Sequence, residues 1–175
     1  DPQLQVLHLG YNVTAENLDE WHYGMLASEA RIASLLAIAR GDIPQSHWLH
    51  LSRSVTQIDG ARALLSWTGG MFEYLMPKLL LSGYKDTLLD QTCRAVVDRQ
   101  IAYGREKGVP WGISESSYYR FDAGMHYQYQ GFGVPGLNFK RSLGEDLVIA
   151  PYASLLALSI RPRSVMENVE RLRQE

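Results

Sequence analysis

Two glutamates stand where carboxylates could do chemistry. Helical spacing from Trp21 to Arg40 puts Glu29 mid-helix among Ala27, Ser28, Ala30 and Ile32, where a charged residue has few structural reasons to be. Arg31 cannot pair with it there, since neighbours at i and i+2 face different ways on a helix. Glu115 is set between Trp111 and the Tyr118–Tyr119 pair, flanked by Ser114 and Ser116, whose hydroxyls can donate to it. Apolar faces of pyranose rings stack on aromatic side chains while their polar edges take hydrogen bonds. Two carboxylates flanking a bound sugar are the minimum chemistry for glycosidic cleavage or transfer. The plainer alternative leaves Glu29 and Glu115 as ion-paired or exposed surface glutamates.

Other motifs lead less far. GFGVPG at 131–136 satisfies the GxGxxG pattern, but a nucleotide site needs a strand before it, a helix after it and an acidic residue about 20 positions on. It predicts a loop requiring close backbone approach. GISES at 112–116 has Ser116 where a nucleophile elbow requires glycine. His47 and His50 could share a helical face, yet no third ligand is near in sequence, which favours hydrogen-bonded histidines. Asn12-Val13-Thr14 is a formal glycosylation triplet of a kind common by chance.

The frame for these residues is a 175-residue chain, 46% hydrophobic and 21% charged, enough for one real core. Seventeen basic against nineteen acidic residues give a net charge of -2, without the positive field that nucleic acid demands. The single Cys93 makes neither an internal disulfide nor a thiolate metal site, and nothing in the sequence requires a metal or other cofactor. Apolar runs such as 35–39 and 75–81 are far shorter than the roughly 18–20 residues of a membrane span. With no initiator Met and no signal-peptide pattern, the chain reads as a segment of something larger.

Helices dominate the expected elements. One runs from an Asp19 N-cap to Gly41, a short one follows Pro44, and an exposed connector spans Ser52 to Gly60. Gly69-Gly70 leads into a helix kinked by Pro77. Thr87 caps a long helix with Leu88, Leu89, Thr92, Val96 and Ile101 on one side and Gly108 beyond its end. Residues 109–152 lose all period yet hold nine of the eighteen aromatic residues and six glycines, Gly144 among them, which predicts a site-forming loop region. A helix from Leu147 to Ile160 and a last one capped by a Ser164–Glu167 box complete the chain. The pattern predicts an all-α fold of paired helices whose loops build a pocket at one end.

Six blocks carry a resemblance: LASEARIAS at 26–34, LLSWTGGMFEYLMP at 64–77, LLDQTCRAVVDRQIAYG at 88–104, VPWGISES at 109–116, YQYQGFGVPGLNFKR at 127–141 and DLVIAPYAS at 146–154. In this order and spacing the chain resembles the glucoamylase-like domain of bacterial cyclic β-1,2-glucan synthases, related to endo-β-1,2-glucanases. The resemblance implies a partial (α/α)6 toroid over residues 1–175, incomplete at its C-terminal end, within an inner-membrane synthase on its cytoplasmic side. It implies partners in the same protein, a glycosyltransferase portion and a phosphorylase-like portion, and a β-1,2-glucan substrate. The implied reaction closes a linear glucan into a ring by anomer-retaining transglycosylation, with Glu115 as nucleophile and Glu29 as acid/base. Arg31, Trp67, Glu73, Tyr74, Trp111, Tyr118, Tyr127, Gln128 and Tyr129 fall in matched blocks and are the implied glucose contacts. Gly24 departs from the resemblance, standing where an Asp is usual. The rival expectations are an endo-β-1,2-glucanase that admits water and an inactive glucan-binding fragment.

Overall fold

The computed structural model describes residues 1–140 and 146–175; Arg141, which ends one of the six blocks, and Gly144 lie outside the described residues. The chain opens with two nested hairpins of two-residue strands. β1 (Leu7–His8) pairs antiparallel with β4 (His22–Tyr23), and inside it β2 (Tyr11–Asn12) pairs with β3 (Asn17–Leu18). Of these first 23 residues, Val6 alone joins the core. Then come α1 (Arg31–Arg40), α2 (Ser46–His50) and a hairpin of β5 (Val55–Ile58) with β6 (Ala61–Leu64). Next are α3 (Met71–Leu75), a 3-10 turn over Met76–Leu79 and the long α4 (Leu88–Lys107). A fourth hairpin, β7 (Ser116–Phe121) with β8 (Tyr127–Gln130), precedes α5 (Pro151–Leu155) and α6 (Pro162–Leu172).

The all-α toroid is therefore incorrect: the architecture is mixed, with six helices and four two-stranded antiparallel sheets among the described residues. The presumed helix from Trp21 to Arg40 forms only in its second half. The Asp19 carboxylate accepts the Trp21 N–H at 3.0 Å in a local turn instead of starting a helix. Leu26 N–H goes to Ser52 C=O, so residues 24–30 run as irregular chain beside 52. The presumed exposed connector is the β5–β6 hairpin, reversed by Asp59 and Gly60 at φ 49° and 80°, the left-handed pair that a tight two-residue turn requires. The helix expected over Leu147–Ile160 shrinks to α5. The Ser164–Glu167 capping box is absent, because Pro162, pre-set for the first helical turn, starts α6 two residues earlier.

Elsewhere local signals determine the structure. Thr87 Oγ1 accepts the Asp90 N–H, opening α4, and Gly108 at φ 70° closes it. Pro77 converts the end of α3 into the 3-10 turn. The buried stripe of α4, including Cys93, Val96, Val97 and Ile101, packs against β6 and α3. Leu64, Met71, Tyr74, Phe132, Val134, Leu137 and Val165 complete one core. No helix of the described residues is long and apolar enough to cross a membrane.

Candidate active-site cleft

The segment 111–115 runs through the core with several of its peptide groups hydrogen-bonded to neighbouring elements. Trp111 N–H donates to Asn168 Oδ1 (2.9 Å) and Asn168 Nδ2 donates to Trp111 C=O (2.8 Å), which ties the segment to α6. Gly112 C=O accepts from Ala150 N–H. Gly112 has φ 127°, which favours glycine, and a Cβ there would stand 3.2 Å from Ser154 N. Gln100 on α4 clamps Ile113 through both amide atoms, at 2.8 Å each, while Ile113 C=O also accepts from Met71 N–H. Ser114 Oγ accepts the Phe72 N–H of α3 (3.0 Å). Glu115 emerges at the end of this clamp, its own carbonyl held by the Tyr152 hydroxyl of α5 (2.8 Å).

Glu29 is positioned differently. It lies in the turn just before α1, not within the helix, and Ser28 Oγ donates to its carboxylate (3.2 Å). Arg31 fixes that turn: its guanidinium donates to the carbonyls of Ser28 (2.7 Å), Glu73 (2.8 Å) and Tyr74. With 4% exposure, Arg31 has its fork spent on backbone, including carbonyls at the end of α3, where the helix dipole favours a cation. Burial holds the Glu29 carboxyl above the ordinary glutamate range, and the charges of Glu73 and Glu115 push the same way.

Glu73 is the third acid. It accepts from Ser66 Oγ (2.7 Å), Thr68 Oγ1 (2.6 Å) and the N–H groups of Thr68 and Gly70, so it organises the loop 66–70 as well as facing the cleft. That loop passes so close to the 131–136 turn that a Cβ on Gly133 would lie 1.6 Å from Thr68 O, which is the close approach expected of GFGVPG.

These parts enclose a cleft of 430 Å³ whose lining includes Glu29, Glu73, Glu115, Trp21, Trp67 and Phe72. Trp21 and Trp67 are 71% and 52% exposed, and Trp67 stacks on Phe139 at 5.9 Å. Tyr129, exposed on β8, stands near Glu115; burial, then the charge of Glu115, pushes its phenol up to about 12, so it stays a neutral donor. Tyr127 and Gln128 share that hairpin, Tyr127 against Phe121 and Gln128 paired across to Tyr118. A second hollow of 440 Å³ lies between α1, α2 and the start of α4, with Lys78 and Asp90 but no pair of carboxylates.

Several implied glucose contacts do not reach the cleft. Trp111, 6% exposed, is a core residue against α6. Tyr74 is 1% exposed, with its hydroxyl shared among Ser66 N–H and the Leu64 and Leu137 carbonyls. Arg31 is buried as described, and Tyr118 turns edge-on to Phe132 in the core. The structure adds Trp21, Tyr23 and Phe72 to the cleft lining, which spacing had not singled out. Gln100 was legible in principle, as a polar residue on the apolar stripe of α4. His47 is buried and hydrogen-bonded to Gln5 C=O and Ser34 Oγ, and His50 is exposed, which leaves both as ordinary histidines.

Residues 21–175 match the Glycoamylase family model, described as "Putative glucoamylase". A cyclic beta-(1,2)-glucan synthase, NdvB of Rhizobium meliloti (strain 1021), is 50% identical over 173 residues, which are 99% of this chain and 6% of that protein. The chain thus spans a small fraction of the relative's length. Both findings agree with the resemblance carried by the six blocks.

Proposed function

The chain belongs to the glucoamylase family, and from that premise we propose that it is the carbohydrate-active segment of a cyclic β-1,2-glucan synthase, closing linear β-1,2-glucan into a ring. One observation carries the reading: three carboxylates and two exposed indoles line a single cleft. Pyranose faces stack on Trp21 and Trp67, and the acids stand where the glycosidic bond would lie.

In the proposed reaction Glu115 attacks the anomeric carbon, the glycosidic C–O bond breaks, and a proton supplied by Glu29 goes to the leaving oxygen. The raised Glu29 carboxyl suits the acid, which must arrive protonated. The neutral Tyr129 hydroxyl stands beside Glu115 as a hydrogen-bond donor. The 2-hydroxyl at the chain's own non-reducing end then attacks the glucosyl-enzyme, losing its proton to Glu29 and restoring both carboxyl groups. A retaining pair commonly stands about 5–5.5 Å apart, and a β-1,2 linkage also allows the proton to pass through a substrate hydroxyl. The glycosyltransferase and phosphorylase-like partners, and the inner-membrane setting with this segment on the cytoplasmic side, belong to the same proposal and rest on the family resemblance carried by the six blocks.

The test is mass spectrometry of products from linear β-1,2-glucan incubated with the protein. Rings one water lighter than linear chains of the same number of glucose units, without a reducing end, are expected together with the linear fragment released when the glycosidic bond breaks. Shorter linear products without any rings would replace the proposal with a glucanase, and binding without turnover would replace it with a glucan-holding module.

A further inference from the structure

We propose that Asp1, His8 and His22 form a site for a divalent transition metal of the zinc class at the edge of the cleft. Among the described residues, these three each offer one ligand atom, all within 4.8 Å of one another. The β1–β4 pairing places His8 directly across from His22, with ring centroids 4.4 Å apart.

Two observations set this cluster apart from histidines that merely neighbour one another. His8 Nδ1 lies 2.7 Å from the Asp19 carbonyl. A carbonyl only accepts, so Nδ1 carries the proton and Nε2 keeps a free lone pair. A ring N–H anchored on a backbone carbonyl is the outer support that metal-bound imidazoles commonly have. His22 Nε2 is buried and has no hydrogen-bond partner, an orphan that protein interiors rarely keep. It stands 3.4 Å from Asp1 Oδ2. Ligand atoms about 2.0–2.1 Å from a tetrahedral zinc lie about 3.3 Å from each other, close to that spacing. Asp1 Oδ1 is already occupied by the N–H groups of Gln3 and Leu4, which leaves Oδ2 as the ligand.

Two imidazoles and one carboxylate suit zinc and its transition-metal neighbours, whereas magnesium and calcium prefer all-oxygen sets. The fourth position would take water or a sugar hydroxyl, because His22 itself lines the cleft. The bound ion would join the chain's first residue to β1 and β4, a region that buries only Val6, and would steady Trp21 and Tyr23 on either side of His22. The inference is independent of the proposed reaction, since it is tested without glucan.

The experiment is calorimetric titration of Zn2+ into the full 175-residue chain with its N-terminus acetylated, which removes the α-amino group as a ligand. One ion per chain at micromolar affinity or tighter is expected, with no comparable uptake of Mg2+. His8→Gln, His22→Gln and Asp1→Asn should each weaken binding about tenfold or more, while His50→Gln leaves it unchanged. Co2+ in place of Zn2+ should give the intense visible absorption of a tetrahedral site. Metal-free melting temperatures matching the unsubstituted chain would show that the variants fold. No zinc uptake, an unchanged affinity in Asp1→Asn or His22→Gln, or equal loss in His50→Gln would overturn the proposal.

Discussion

The two walls of the cleft are built by opposite means. The wall that ends in Glu115 is a strand of core whose amides and carbonyls are engaged by α3, α4, α6 and residue 150. The wall that carries Trp21 and Tyr23 is a pair of nested two-residue hairpins with one core side chain and left-handed φ at Gln5 and Glu16. Groups proposed to react stand on structure that cannot shift without losing buried hydrogen bonds, whereas an aromatic proposed to hold sugar stands on structure with little to lose. Preorganisation matters most where bonds are made, because small displacements there are expensive in rate.

The contrast can be broken most drastically at the acids. Glu115→Gln and Glu29→Gln should each lower turnover by about 10²–10⁴-fold with glucan binding kept, and unimpaired rates in either would remove it from the chemistry. Next in size is a paired glycine test. Gly133→Ala drives a methyl into the Thr68 carbonyl and should cost about 3 kcal/mol or more in urea unfolding. Gly10→Ala, on the hairpin wall with nothing within 4 Å of the new carbon, should stay within about 0.5 kcal/mol. Similar losses at the two positions would mean that both walls are equally tight. Gln100→Leu leaves both peptide groups of Ile113 without their clamp and should cost about 1–3 kcal/mol, lowering kcat more than it raises KM. Trp21→Ala should weaken glucan binding about 2- to 10-fold while the melting temperature holds, and a large drop in melting temperature would show the rim to be structural after all.

The smallest effect is one of pH. Folding raises the Glu29 pKa, so the folded chain holds that proton more tightly than the unfolded one. Its ionisation therefore costs stability as pH rises from the ordinary value of 4.5 through the raised native one. Glu29→Gln removes that cost, and its melting temperature relative to the unsubstituted protein should climb as pH rises above 4.5. A difference that is flat or falls with pH would place Glu29 in a more solvated setting than its burial indicates.

What could be read beforehand tracks how local the physical cause is. Helix α4 was legible from Thr87, Gly108 and its apolar stripe, all within one element. The β5–β6 hairpin was also written locally, in Asp59-Gly60, but its strands carry polar and small residues that hide the alternation. The β7–β8 hairpin has aromatic residues on both faces and a register irregularity between Tyr118 and Phe121, so no period of two survives in the sequence. Glu29 was picked out because helical spacing made it anomalous. It is instead held in a turn by Arg31 bonding to residues more than forty positions away, which spacing cannot display. Trp111 shows the same limit: an aromatic beside a candidate acid looks like a sugar platform in sequence, while its backbone bond to the distant Asn168 and its burial in the core are invisible there. Side chains joined across long stretches of chain gave the least warning.

The bond between Trp111 and Asn168, 57 positions apart, also sets an order of assembly. Closing so long a loop carries an entropic cost that grows with its length and is recovered only when α6 docks. During synthesis α3 and Gln100 are made before the segment leading to Glu115, whereas its partners Ala150, Tyr152 and Asn168 follow, so the alignment of the cleft is complete only after these later residues have docked. A nascent or partly unfolded chain would thus hold its acids without their alignment, and the loss of α6 contacts would silence the site before the rest of the core melts.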